Sequence, residues 1–228
     1  MVADRKQARP HESQDLMSQS TSTPTAAPRG GNGRSNRAAY DLAAVLDIAV
    51  AAFNDRGYDA TSMGLVAERL GTTKSAIYHH VSGKEDLLRL ALDRALVGLE
   101  SVLDETGARE GQPAERLRFV LREAVHVLVR ELPYVTLLLR LRGNTELERS
   151  AMERRRRFDH EVSTLVDLAR ADGTIRTDVD SRTITRLLFG MINSIVEWYK
   201  PSGSLSPEQL AQDVIAIAFD GLREPKGQ

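Results

Sequence analysis

The chain contains no cysteine, which excludes disulfide-stapled scaffolds, thiolate zinc sites, iron–sulfur clusters and thiol nucleophiles together. Aromatic side chains make up only 5% of the residues, too few to line a large aromatic cavity. An excess of one charge is missing as well. The 31 Lys and Arg against 32 Asp and Glu leave a formal net charge of -1, so any affinity for nucleic acid has to come from a local patch. No apolar run approaches the roughly 18 residues a membrane-spanning helix needs; the stretch from Leu42 to Phe53 is short and carries Asp47. The first residues, with Asp4, Arg5 and Lys6, lead into Ser, Thr, Pro and Gln instead of an apolar segment, so a cytoplasmic address and no membrane association are expected. His126 and His160 stand alone on their helices, adjacent His79 and His80 point apart, and no glycine-rich phosphate loop follows a strand. Neither a catalytic centre, a metal site nor a cofactor is expected.

What is there is enough apolar material, 41% of 228 residues, for one medium domain or two small ones with a true core. Residues 1–36 are Ser, Thr, Pro, Gln and Gly with almost no large apolar side chain and read as a disordered arm. Its basic end, with Arg29, Arg34 and Arg37, is either a solvated tail or an arm that touches DNA phosphates or a minor groove. From Tyr40 onward apolar residues recur at three and four, which predicts an all-α fold. A first helix covers about 41–56, with Leu42, Val45, Leu46, Ala49 and Phe53 on one face and Gly57 as its stop. A second, capped by Thr61 or Ser62, carries Met63, Val66, Ala67 and Leu70 inward and stops at Gly71; a third covers about 73–79. A fourth opens at Lys84, Glu85 and Asp86, with Ser82 suited to its N-terminus, and runs to Leu103. Beyond the break at Gly107, Gly111 and Pro113, helices are predicted at 114–130, 133–141, 145–171, 181–199 and 207–222, about nine in all. The last carries Ser206 as N-cap, Pro207 at the first position and Gln209 as capping-box partner.

Two short helices joined by Gly71 and Thr72, framed by longer ones, form a helix-turn-helix candidate. In the second of them Ala76 and Ile77 can anchor inward while Thr73, Lys74, Ser75, Tyr78 and His79 project outward. That face is short, hydrogen-bonding and weakly cationic, which suits a major groove. Lys84, and Thr61 or Ser62, stand where an ammonium and a hydroxyl at a helix start can hold phosphates. The run from Gly57 to Leu88, GYDATSMGLVAERLGTTKSAIYHHVSGKEDLL, resembles the N-terminal DNA-binding domain of TetR-family transcriptional regulators. Gly64 departs from the pattern, standing where the family usually has a larger residue. The resemblance implies a base-contacting helix over Thr72 to His79 and phosphate contacts from Thr61, Ser62, Tyr78, His79 and Lys84. The alternative, that Tyr78 and His79 pack the small bundle, stays open, and His80 reads as a packing or capping residue. The implied organisation is an arm at 1–36, a three-helix helix-turn-helix domain at 37–84 and a larger helical ligand-binding and dimerisation domain at 85–228.

The last two helices carry Ile184, Leu187, Leu188, Met191 and Ile195, then Leu210, Val214, Ile215, Ile217 and Ala218, apolar over more than one face. The resemblance implies that they pair with a second copy, giving a homodimer that reads near-palindromic double-stranded DNA as a repressor. The segment Glu197 to Glu208 is similar to a TetR subgroup that responds to acyl-CoA thioesters, which makes such a thioester the implied small-molecule effector. A CoA ligand needs cations and an apolar slot. The candidates are Arg140, Arg154 and Arg157 for the cations, and Phe119, Tyr134, Leu138, Phe158, Met191, Ile195 and Trp198 for the walls. The bland alternatives are that the run Arg154 to Arg157 is solvated or paired with Glu146, Glu148, Glu153 and Asp159, and that the wall residues are plain core. A multidrug-type sensor, a helical acyl-thioester enzyme and a DNA binder without effector are the competing functions.

Overall fold

The computed structural model describes residues 41–221; the arm at 1–36, residues 37–40 and Leu222 lie outside the described residues. Ten helices occur among the described residues: α1 (Leu42–Arg56), α2 (Met63–Leu70), α3 (Lys74–Tyr78), α4 (Lys84–Val102), α5 (Thr106–Arg109), α6 (Pro113–Arg130), α7 (Leu132–Leu139), α8 (Glu146–Ala171), α9 (Ser181–Trp198) and α10 (Pro207–Asp220). The one beyond the predicted nine is α5, a single turn inside the Gly/Pro break. A Cβ on Gly107 would stand 2.5 Å from the Phe119 ring, so the glycine lets this turn lie flat on α6. Short polar side chains set the helix starts. Asp41, Ser62, Thr73, Thr145, Asp180 and Ser206 each accept a backbone N–H from the first turn of the helix that follows.

Two predicted caps take another form. The N-cap of α4 is Gly83, with Asp86 reaching back to accept the Ser82 N–H at 3.1 Å, so the carboxylate and not the serine hydroxyl closes this helix start. At α10, Ser206 accepts the Gln209 N–H at 3.1 Å, but the Gln209 side chain turns forward to Asp213 at 2.9 Å. The reciprocal half of the capping box is replaced by an i, i+4 pair.

One apolar core runs from α1 through α4 into the larger bundle. Val45, Ala49, Val50 and Phe53 of α1 meet Ile77 and Val81 around α3 and Leu87 and Leu88 at the start of α4. Further along, α4 contributes Ala91, Leu92, Ala95 and Leu96 and packs on α6, α7 and α8. It is thus a shared strut between the helix-turn-helix and the bundle. α7 does the same from the other side, packing on both α1 and α4. Among the described residues no helix is long and apolar enough to cross a membrane.

Candidate nucleic-acid interface and effector cavity

α2 ends because Gly71 adopts a left-handed conformation, φ 69°, from which its N–H reaches the carbonyls of Ala67 and Glu68. α3 then begins two residues beyond Thr72, whose N–H is held by the Ala67 carbonyl at 2.9 Å. Five residues are too few for a helix to stand alone; α3 is held by the Thr73 cap and by Ile77, which is 1% exposed. The inward anchor fixes the outward set: Thr73, Lys74, Ser75, Tyr78 and His79 are exposed and Thr72 is half-buried. Tyr78 keeps 51% of its surface open, so neither it nor His79 packs the bundle. His80 is exposed too, which tells against the packing half of the packing or capping role expected for it.

The two hydroxyls before α2 divide their work. Ser62 is exposed and caps the helix through Leu65 N–H at 3.2 Å. Thr61 is only 2% exposed, and its hydroxyl shares its proton between the carbonyls of Gly57, at 2.9 Å, and Ala52, at 3.2 Å. Thr61 therefore ties α2 to the end of α1 and has no side-chain surface to offer a phosphate, which corrects its assignment as a contact. Lys84 is half-buried: Nζ donates to the Tyr58 carbonyl at 2.9 Å and lies 4.2 Å from the centre of the Tyr58 ring. Burial pushes the Tyr58 hydroxyl pKa up, with Glu85 and Asp59 adding to the effect. The ammonium of Lys84 thus braces the loop before α2.

The bundle places the proposed effector residues unevenly. A small cavity of about 30 Å³ lies between α4, α6, α7, α8 and α9, lined by Leu128, Val135, Leu138, Phe158, Phe189 and Ile192 among others. Leu138 and Phe158 are walls as predicted, and the rings of Phe158 and Phe189 stand 5.7 Å apart. Three polar side chains enter this apolar lining: Arg155, Asp159 and Asn193. Burial raises the Asp159 carboxyl above its ordinary range, with Arg155 opposing the rise. Arg155 belongs to the predicted cationic run, while Asp159 and Asn193 are not among the predicted ligand residues. The signal was present in the periodicity: Ala151, Arg155, Phe158, Val162 and Leu165 are spaced four, three, four and three, one face of α8.

The remaining candidates stand elsewhere. Arg154 points to α4 and makes a bidentate pair with Glu100, at 2.9 and 2.6 Å, and a further bond to Asp93 at 2.6 Å. These bonds hold its guanidinium well above the usual arginine range, so it is a structural cation and not a phosphate ligand. Arg157 is exposed, and Arg140 donates to the Asn54 carbonyl at 3.1 Å, bridging α7 to α1. Glu148 pairs with no arginine of the run; it is buried and accepts the Gly143 and Asn144 N–H groups. Phe119 lines a separate open groove of about 550 Å³ between α5, α6 and α10, beside Arg118 and Arg122. Met191 is half-buried against the core, and Ile195 is a core residue at 1% exposure. Trp198 is 52% exposed at the end of α9, outside the cavity.

Tyr134 is buried, but it works between the two parts of the fold. Its hydroxyl donates to Asp47 of α1 and accepts from Arg94 of α4 at 3.0 Å, while the Arg94 guanidinium stacks 4.2 Å from its ring. Arg94 also bonds Glu131 at 2.6 Å, and Asn54 of α1 donates to the Pro133 carbonyl at 2.8 Å. Burial first, then the Asp47 carboxylate, pushes the Tyr134 hydroxyl far above the ordinary phenol range. One short helix therefore carries cavity walls, Val135, Leu138 and Leu139, and a hydrogen-bonded seam to α1.

A short exposed polar helix behind a tight turn, mounted on a large all-helical bundle with its own cavity, defines a helix-turn-helix DNA-binding regulator. A family profile described as "Bacterial regulatory proteins, tetR family" matches residues 45–91, and one described as "Tetracyclin repressor-like, C-terminal domain" matches residues 110–222. The crystal structure of SCO3833, a member of the TetR transcriptional regulator family from Streptomyces coelicolor A3, is 54% identical. It superposes with a TM-score of 0.75 over 79% of this chain and 91% of that one. The HTH-type transcriptional repressor KstR2 of Mycolicibacterium smegmatis is 29% identical over 80% of this chain and 91% of its own length. AibR in complex with isovaleryl coenzyme A and operator DNA is 28% identical, with a TM-score of 0.67 over 78% of this chain and 97% of that one. The chain belongs to the TetR family of transcriptional regulators. It is a DNA-binding regulator of transcription and not an enzyme, which sets aside the acyl-thioester enzyme reading.

Proposed function

We propose that the protein is a homodimeric repressor that leaves its operator when a small anionic effector of the acyl-CoA class opens the cavity of its helical bundle. The DNA face consists of Ser62, Thr72, Thr73, Lys74, Ser75, Tyr78, His79 and Lys84, with the Ser62 hydroxyl and the Lys84 ammonium on phosphates and the α3 face turned to the major groove, where its side chains reach base edges and the flanking phosphates. Dimerisation uses α9 and α10, where Leu187 is 68% exposed, Trp198 52% and Ile217 46%, with Gly190 open between them. Apolar side chains this exposed on adjacent helices favour a partner surface. A two-fold axis through them sets two copies of α3 along one duplex, which calls for a near-palindromic operator. A regulator of this kind works where the chromosome is, in keeping with a cytoplasmic address.

The observation that carries the effector reading is the cavity: apolar walls with Arg155, Asp159 and Asn193 set into them. A few polar groups in an apolar lining are the usual make-up of a ligand site. KstR2 is a repressor by name and AibR binds isovaleryl coenzyme A, which supports the class. At about 30 Å³ the cavity is far below the roughly 300 Å³ of ordinary small-molecule sites, so a ligand has to part α7, α8 and α9 to enter. Because α7 is bonded to α1, parting it moves the helix-turn-helix. By linkage the effector then binds the DNA-released form more tightly and weakens the operator complex by the same factor. The multidrug alternative expects a wide aromatic and acidic chamber, and this one is narrow and largely aliphatic.

A second reading, a DNA binder without effector, draws on the same small volume. Thermal melts and DNA-binding titrations with acyl-CoA thioesters of graded length, free acids and neutral drugs separate the two. An acyl-CoA that raises Tm and lowers duplex affinity is expected. Silence across the panel favours the effector-free binder, and stabilisation by neutral drugs alone defeats the CoA class.

A further inference from the structure

Gly64, the departure from the family pattern, has a use in the folded chain. It occupies the second position of α2, and a Cβ built there would stand 2.9 Å from Cε and 3.3 Å from Nζ of Lys74. The next atom is the Ser62 hydroxyl at 3.5 Å. The first residue of α3 thus lays its four-carbon stem across the bare backbone of α2, and the ammonium rests against the start of that helix. Lys74 is exposed, and none of the ion pairs among the described residues uses it. A lysine stem is flexible, so its direction is set by what its neighbours leave open. Here α2 leaves open the path along its own surface. Nothing about the backbone demands glycine at this position, since Gly64 is not among the residues with positive φ. In a helix a glycine is a weaker choice than alanine.

We infer that Gly64 is a positioning residue for DNA recognition: it opens the groove in α2 that directs the Lys74 ammonium, and so helps set which operator sequences the protein prefers. This rests on the reading of α3 as the DNA-contacting helix. A methyl group at position 64 removes the conformers in which the stem lies along α2 and turns the ammonium outward. The displaced group is the free end of a side chain, so the substitution leaves the fold intact.

The test uses the full-length protein in four forms: wild type, Gly64→Ala, Lys74→Ala and the double variant. A duplex library with a randomised centre is put through selection by each form, and the duplex chosen by the wild type is then titrated across a salt series. Lys74→Ala should weaken that duplex about ten-fold, with a salt slope lower by about 1. Gly64→Ala should hold or raise Tm, weaken the same duplex by a comparable factor and select an altered half-site. Once Lys74 is absent, Gly64→Ala should change nothing further. Equal effects of Gly64→Ala in the Lys74 and alanine backgrounds would overturn the inference, as would an unaltered half-site and affinity, or a lowered Tm that accounts for the lost binding. If Lys74→Ala leaves binding untouched, the reading of α3 fails and the inference with it; if Lys74→Ala weakens binding and Gly64→Ala does not, only the inference fails.

Discussion

Tyr78 and Trp198 are exposed almost equally, 51% and 52%, yet they sit in surroundings of opposite character. Around Tyr78 stand Thr73, Lys74, Ser75 and His79, all polar and all within seven residues of chain. Trp198 belongs to the last two helices, whose other exposed large side chains are Leu187 and Ile217. The difference teaches that an exposed aromatic ring says little by itself. A polar, hydrogen-bonding neighbourhood fits phosphates and base edges, whereas an apolar one fits a second copy of the chain.

The largest expected effect breaks the apolar side of this comparison. Leu187→Glu puts a charge into the proposed dimer face without touching the core, since Leu187 is 68% exposed. Sedimentation should show a monomer of unchanged Tm per chain, and affinity for a two-half-site duplex should fall at least about 100-fold, the scale of lost bivalency. A dimer that persists would move the interface elsewhere.

A smaller effect is expected where the two regions are joined. Tyr134→Phe removes the hydroxyl between Asp47 and Arg94 and should cost about 1 kcal/mol in chemical denaturation. Its sharper consequence is functional. DNA affinity without effector and effector affinity without DNA should stay close to wild type, while the factor by which one weakens the other shrinks. An unchanged factor would remove the α7 seam from the coupling.

The smallest effects set a carboxylate of each region against the other. Asp86 is held below its ordinary 3.8 by the Ser82 N–H and then by Arg89. Its contribution is present above that value and is lost as pH falls through the lowered folded value. Asp159 is raised above 3.8 by burial. There the folded state keeps the proton that the unfolded chain releases, so stability falls as pH rises from 3.8 through the raised folded value. In melts at neutral pH, Asp86→Asn should therefore lower Tm and Asp159→Asn should raise it, and both differences should fade in acid. Shifts of the same sign would refute the assignment.

The two regions also differ in how much of them sequence reveals. The helix-turn-helix is written locally: Ser62, Gly71 and Thr73 are cap residues at fixed offsets, and Ile77 alone determines which way a five-residue helix faces. Even there, adjacency hides a choice, because Thr61 turns inward only once the carbonyls of Ala52 and Gly57 are in place. The cavity is a tertiary object. In a run of four arginines, only the packing of α8 on α4 sends Arg154 to Asp93 and Glu100 while its neighbour Arg155 enters the cavity lining. Tyr134 reads as an apolar wall until α1 supplies Asp47. The single turn of α5 is below the length at which periodicity speaks.

Oxidative footprinting of the two exposed aromatics tests the central claim most directly, with the full-length protein free and saturated with a selected duplex. The account predicts that labelling of Tyr78 collapses when duplex is added, while Trp198 is already protected in the DNA-free dimer and does not change. A Tyr78 that labels equally with and without DNA, while protection appears on α8 or around Trp198, would contradict it.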